Sequence, residues 1–151
     1  MNIFRNQCQS LFALLLILVG FLCMEHASAF CLDGRRPSLT IETKLSNFVI
    51  IGRVKKATDY TSPDDPDGIT GTKYVVSVTQ VFRGSPPKTL VVNSENTSSR
   101  FPLIVGQRYL LFIKGLPTDG LVDSCGNSGV ANERKAMIAK LRGNRIKTSG
   151  I

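Results

Sequence analysis

The chain has little of what most enzyme active sites are built from. Its 151 residues include one histidine, three tyrosines and no tryptophan. The histidine is His26, which lies in an N-terminal segment that we expect to be removed. Without an imidazole, the remaining chain cannot form a Ser–His–Asp triad or a histidine metal site, and it contains no glycine-rich phosphate loop or dinucleotide fingerprint. We therefore predict a protein that is not an enzyme and that holds no metal or cofactor.

Acidic residues leave two weaker alternatives open. Two carboxylates could act together in acid–base catalysis, but most acidic residues fall in predicted loops, apart from Glu42, Asp123 and Glu133. The segment 59–71 carries four aspartates and faintly resembles a calcium loop. Its two prolines break the alternate spacing that calcium ligands need, so we interpret it as a solvated hairpin loop.

Residues 1–29 have the features of a secretory signal peptide. Arg5 gives a weakly basic start, residues 11–23 are apolar, and the small residues 27–29 suit signal-peptidase cleavage. The apolar run of about 13 residues is shorter than the roughly 20 that a membrane-spanning helix needs. We expect a secreted or periplasmic protein whose mature chain begins at Phe30, after cleavage near Ala29.

Cysteine usage agrees with export. Cys8 and Cys23 belong to the predicted signal peptide, which leaves Cys31 and Cys125. Two cysteines in an oxidising compartment are expected to form a disulfide, and closing its loop would remove roughly 4–5 kcal/mol of unfolded-state entropy. A reactive thiol or a two-cysteine metal site is the alternative and would need an activating neighbour or further ligands. A lipid anchor on Cys23 or Cys31 is disfavoured because a bulky residue precedes each cysteine.

The chain is strongly basic. Nineteen basic and eleven acidic residues give a formal net charge of +8, and removal of Arg5 and Glu25 with the signal peptide leaves this value unchanged. The excess charge favours solubility or, alternatively, binding to an anionic partner. The densest basic cluster lies near the C-terminus and could be a solvated helix face or an anion-binding site. It consists of Arg134, Lys135, Lys140, Arg142, Arg145 and Lys147.

Most of the mature chain has the pattern of β-strands. Residues 72–84 alternate apolar and polar side chains, and Gln80 interrupts the apolar face, which predicts a β-bulge nearby. Gly52 marks the point where the first strand changes from buried on both faces to half exposed, as expected of a strand shared by two halves of a barrel. Four further runs separated by turns have strand-like composition: 47–58, 88–93, 107–114 and 120–124.

Two helices are expected to flank the strands. The first begins after Ser38 as N-cap and places Ile41 and Leu45 on one face. The second covers residues 131–142, ends at Gly143 and packs on the barrel through a narrow apolar stripe. That stripe consists of Met137, Ile138 and Leu141.

The mature length, about 120 residues, fits a single domain with one core. We place this domain at residues 30–143 and expect residues 144–151 to form a disordered basic tail. The predicted architecture is mostly β, a five-stranded closed barrel with one or two flanking helices.

Five segments follow one another in a set order along the mature chain. They are Cys31, 48–54 (FVIIGRV), 74–78 with 81–84 (YVVSV, VFRG), 106–112 (GQRYLLF) and 125–128 (CGNS). Their order and spacing resemble those of the tissue inhibitors of metalloproteinases and the netrin-like modules, above all the short single-domain bacterial members. The resemblance implies an OB-like barrel.

The resemblance also implies a binding edge. In the inhibitors of that family, an N-terminal cysteine chelates the zinc of the protease. Here Phe30 precedes Cys31, and the segment 94–102 lacks the cysteine that would tether the family's first one, so Cys31 corresponds to the family's second cysteine. The implied partner is an extracellular protein such as a metalloprotease, with weak or absent zinc-protease inhibition. The expected contact edge is Phe30, Cys31, Leu32, Asp33, Gly126, Asn127 and Ser128. The alternative is an OB-fold binder of an anionic polymer or glycan through its basic surface.

Overall fold

The computed structural model describes residues 36–64, 66, 68–97 and 100–148, with side chains described up to Gly143. The predicted signal peptide and residues 30–33 of the expected contact edge lie outside the described residues. Within the described ranges the chain forms two helices and six strands. In chain order they are α1 (Leu39–Leu45), β1 (Phe48–Tyr60), β2 (Gly71–Arg83), β3 (Thr89–Glu95), β4 (Arg108–Leu116), β5 (Asp119–Val122), β6 (Gly129–Val130) and α2 (Lys135–Thr148).

Five of the strands close into a ring. The strand β1 pairs antiparallel with both β2 and β4, β2 pairs with β3, and β4 pairs with β5. A short parallel pairing of β3 with β5 completes the ring in the order β1-β2-β3-β5-β4. The two-residue strand β6 lies beside β4, outside this ring. The prediction of a mostly β chain with flanking helices is confirmed.

The β1–β2 register contains the bulge that Gln80 indicated. Ile51 faces Gln80 while Gly52 faces Val78, so that Thr79 is an extra residue on β2. A second irregularity lies on β2, where Phe82 is the extra residue between the partners of Val49 and Ile50. A third lies on β1, where Lys55 is the extra residue between Val54 and Lys56. Bulges bend a strand and increase its twist, which allows these long strands to curve around the ring.

The apolar residues form two clusters on opposite faces of β1 and β4. The first fills the ring, and Ile50, Leu111 and Ile113 within it are fully buried. Gly52 belongs to this inner face, where a Cβ would overlap the Val76 side chain. The second cluster lies outside the ring, where α2 covers the outer face of β1 and β4. Its members are Val49, Ile51, Leu110, Phe112, Ala131, Ile138 and Leu141, with Met137 packed against them. The predicted packing of the helical apolar stripe is confirmed.

The second helix is longer than predicted. It runs to Thr148 and passes through Gly143, where we expected it to end. The helix begins at Lys135 rather than at residue 131, and the backbone of residues 144–148 continues it. Residues 149–151 lie outside the described residues. Neither of the described helices is long and apolar enough to cross a lipid bilayer.

The first helix begins as predicted and exposes its apolar face. Ser38 is its N-cap, and its side-chain oxygen accepts a hydrogen bond from the Ile41 amide at 3.3 Å. The expected apolar face is open to solvent, since Ile41 is 55% and Leu45 65% exposed, whereas Glu42 is only 5% exposed. Ile41 and Leu45 therefore share one face, as predicted, and that face is the exposed one.

Candidate protein-binding edge

A buried acid–amide pair lies at the centre of the candidate site. Glu42 projects from α1 towards Asn127 in the segment between β5 and β6. The Asn127 amide N–H donates to Glu42 Oε2 at 2.8 Å and to Oε1 at 3.1 Å. The Asn127 side-chain nitrogen donates to Oε2 at 2.5 Å. The carboxylate therefore accepts hydrogen bonds from both the backbone and the side chain of one residue that is distant in sequence.

The same amide reaches the chain just before α1. Asn127 Nδ2 donates a second hydrogen bond, at 2.8 Å, to the Pro37 carbonyl. A side-chain amide has two donor hydrogens, and both are used here. Three pieces of the chain are thus held together at one point: the residues leading into α1, the helix itself, and the segment 123–128.

Burial sets the protonation behaviour of Glu42. Removal from water raises the pKa of its carboxyl group, and the nearby negative charge of Asp123 adds to that rise. The hydrogen bonds from Asn127 and the positive charge of Lys114 act in the opposite direction, but the net result is a pKa above the usual value for glutamate. The carboxylate is therefore only partly compensated for its loss of water.

The residues on either side of Asn127 are buried for related reasons. A Cβ at Gly126 would overlap the Glu42 carboxylate, so only glycine allows the segment to approach this closely. Ser128 is 4% exposed and its hydroxyl accepts a hydrogen bond from the Phe112 amide at 2.9 Å. Gly126, Asn127 and Ser128 of the expected contact edge are therefore buried, and a partner at this edge would meet the exposed residues beside them.

That surface is a pocket beside the acid–amide pair. Its volume is about 430 Å³, and it is lined by Arg36, Pro37, Glu42, Leu45, Lys114, Asp123 and Cys125. A second pocket of about 350 Å³ between β3 and β5 shares Lys114 and Asp123 with it. Charged groups of both signs and the exposed Leu45 side chain therefore lie at one opening.

The predicted disulfide falls partly outside the described residues, because Cys31 does. Cys125 is half-buried and lines the same pocket as Arg36 and Pro37. The five residues from Arg36 back to Cys31 can span up to about 17 Å when extended. The pairing of Cys31 with Cys125 stays a prediction.

The basic residues of the C-terminal region do not form one uniform cluster. Arg134 precedes α2, and its guanidinium packs against Gly129 and donates to the Ser128 carbonyl at 3.4 Å. Arg142 donates to Gln80 Oε1 at 3.1 Å. Lys135 and Lys140 are exposed, whereas the side chains of Arg145 and Lys147 lie outside the described ones. Arg134 is thus a packed residue rather than an open anion ligand.

Sequence reasoning missed the role of Glu42, although this residue was noted as an acid outside the predicted loops. Its partner lies 85 residues away, and no local pattern links the two positions. The one available indication was an acidic residue between the apolar residues of a short helix. Among the described residues, no group of three histidine, cysteine or acidic side chains could hold a metal ion.

Comparison with known proteins gives no further identification: no protein-family model matches the chain, and no curated protein matches it.

Proposed function

We propose that this chain is an exported, non-enzymatic binding module that resembles the metalloproteinase inhibitors and binds a protein partner at the edge described above. The ring of five strands supports the OB-like barrel that this resemblance implies, since an OB fold is a five-stranded, partly open Greek-key barrel. The short parallel contact between β3 and β5, only two residue pairs long, is where such a barrel would be partly open.

The observation that carries the proposal is the exposed apolar surface of α1. Ile41 and Leu45 lie four residues apart on the solvent side of the helix. Leu45 also lines the pocket, next to Lys114 and Asp123. Apolar groups rimmed by charged ones are typical of protein interaction sites. The Glu42–Asn127 pair fixes this helix, so the surface is rigid before a partner arrives, which lowers the entropy cost of binding.

The proposal separates binding from zinc-protease inhibition. Phe30 would have to bring its amine to a metal while tethered only through Cys31, and fixing such a residue costs about 1–2 kcal/mol of backbone entropy. The edge is therefore proposed to bind a protein surface, and direct metal chelation is not part of its function.

The test compares two matched substitutions. A partner captured from the extracellular fraction would be purified, and its dissociation constant measured for the wild type, Leu45→Asp and Ile104→Asp. Leu45 is 65% and Ile104 67% exposed, but Ile104 lies two residues before Gly106, whose amide donates to the Val54 carbonyl midway along β1. We expect Leu45→Asp to weaken binding about tenfold or more, as a central contact should, and Ile104→Asp to have little effect. Equal effects of the two substitutions would contradict the proposed site.

The alternative function, binding of an anionic polymer through the basic helix, has less support at the residues first suggested. Arg134 is packed and Arg142 is hydrogen-bonded to Gln80. A different part of the surface is better suited to such a ligand.

A further inference from the structure

Five basic side chains lie in line on the outer face of the ring, beyond the part that α2 covers. We name them the cationic stripe. They are Arg108 on β4, Arg53, Lys55 and Lys56 on β1, and Lys73 on β2, and all five are exposed.

The pairing registers place these residues on one face. Arg53 faces Arg108 across the β1–β4 pair. Each lies two residues along its strand from an outward-facing member of the outer cluster, Ile51 on β1 and Leu110 on β4. Lys56 faces Val75, and Lys73 lies two residues before Val75 on β2, on the same face because side chains alternate along a strand. The β1 irregularity between Val54 and Lys56 adds Lys55 to this basic run.

The arrangement is unfavourable without a ligand. Like charges directly opposite each other on neighbouring strands destabilise a sheet, and Arg53 and Arg108 occupy such a position. Among the described residues, neither is paired with a carboxylate: Arg53 donates to the Gly106 carbonyl at 2.7 Å. The nearest acid on β1, Asp59, instead faces Thr72 and accepts its hydroxyl hydrogen bond at 2.7 Å.

The dimensions indicate an extended ligand. Lys73 faces Thr58, and from Arg53 to Thr58 β1 advances by up to about 17 Å, at roughly 3.3 Å per residue. A single phosphate or sulfate could contact only part of this length. Several anionic groups on one chain could contact all of it and would release the counterions of the ligand on binding.

The stripe lacks the groups that bind nucleic acid bases. Single-stranded nucleic acids are held largely by stacking on exposed aromatic rings, whereas Tyr74 and Tyr109 beside the stripe are buried. The partly exposed Tyr60 ring already has the Lys73 ammonium over it, 5.2 Å from its centroid. We therefore propose that the cationic stripe binds an anionic polysaccharide carrying sulfate or carboxylate groups. This site is independent of the protein-binding edge, and either could exist without the other.

The experiment measures binding of a fluorescent heparin oligosaccharide to the purified full protein by anisotropy at several salt concentrations. Arg53→Gln/Arg108→Gln removes two charges from the stripe, and Lys135→Gln/Lys140→Gln removes two exposed charges from α2 as the matched control. We expect the first pair to weaken binding about tenfold and to reduce the slope of log affinity against log salt by about two. The control should change affinity less than about twofold.

Three outcomes would overturn the proposal. Equal losses in the two double variants would show that only net charge matters, and equal or tighter binding of single-stranded poly(dT) would show that the ligand class is wrong. Because Arg53→Gln also removes the bond to Gly106, Lys55→Gln/Lys56→Gln provides a second test that leaves this bond intact. Unchanged heparin affinity in this folded variant would equally refute the stripe.

Discussion

The Glu42–Asn127 pair allows a prediction whose size can be worked out from the structure. In Glu42→Ala, the Asn127 backbone N–H and one hydrogen of its side-chain amide lose their acceptor. A buried donor left unsatisfied costs about 1–3 kcal/mol. Water entering from the adjacent pocket would hydrate these donors in part, and the penalty for burying the carboxylate disappears. We therefore expect a loss of about 2–4 kcal/mol, measured by urea or thermal unfolding.

The conservative variant Glu42→Gln separates the contribution of the hydrogen bonds from the cost of burying the charge. In Glu42→Gln an amide oxygen at the position of Oε2 still accepts from the Asn127 backbone and side chain, but an amide nitrogen at the position of Oε1 cannot accept from the Asn127 backbone N–H. The charge and its desolvation cost are also gone, so we expect a loss of only about 1 kcal/mol. Stability of Glu42→Ala within about 0.5 kcal/mol of the wild type would refute the reasoning.

The pH dependence follows from the direction of the pKa shift. Because burial raises the pKa of Glu42 in the folded protein, the folded state binds the proton more tightly than the unfolded chain does. The stability that the folded protein gains by protonation of Glu42 is fully present below the pKa of this residue in the unfolded chain. It is lost as the pH rises through the pKa of Glu42 in the folded protein. Glu42→Gln has no such group, so the difference in stability between wild type and variant should change in this pH window. A difference that stays constant with pH would contradict a raised pKa.

Two further predictions concern the N-terminal region. Cys31→Ser and Cys125→Ser should each cost roughly 2–5 kcal/mol, and intact mass with and without alkylation should show no free thiols in the exported wild type, whereas two alkylated cysteines would rule the disulfide out. Protein confirmed to begin at Phe30 should inhibit a panel of zinc proteases weakly or not at all, and tight inhibition that is abolished by acetylating the N-terminal amine would show that this edge does chelate zinc.

The strands could be predicted because their information is local. In β2 the alternation of apolar and polar residues matches the pleat, and the departure from it at Gln80 marked the bulge beside Thr79. The burial change at Gly52 likewise follows from residues within a few positions on β1. Closure of the sheet was predicted from the number of strands and from the change in burial along β1. In the structure β1 pairs with β2 on one side and β4 on the other.

The end of α2 could not be predicted from Gly143 alone. Glycine within a helix costs only about 1 kcal/mol relative to alanine. At Gly143 nothing lies within 4 Å of the position that a Cβ would occupy, so no close contact requires a glycine there. The preceding residues Ile138 and Leu141 are buried against the ring and hold the helix in place. The packing of these residues therefore stabilises the helix enough that one unfavourable residue, Gly143, does not end it.

The orientation of α1 depends on information that lies far away in the sequence, and it links the fold to the proposed function. Burying Ile41 and Leu45 would gain roughly 1.5–3 kcal/mol for each side chain, so a free helix would be expected to turn that face inwards. It does not, because Glu42 lies between them and is the acceptor for Asn127, and leaving those buried donors without an acceptor would cost a similar amount. The same short helix cannot satisfy both requirements. A protein partner that covers Ile41 and Leu45 would recover the apolar contribution without disturbing Glu42, and this is why we place the binding edge on the solvent side of α1.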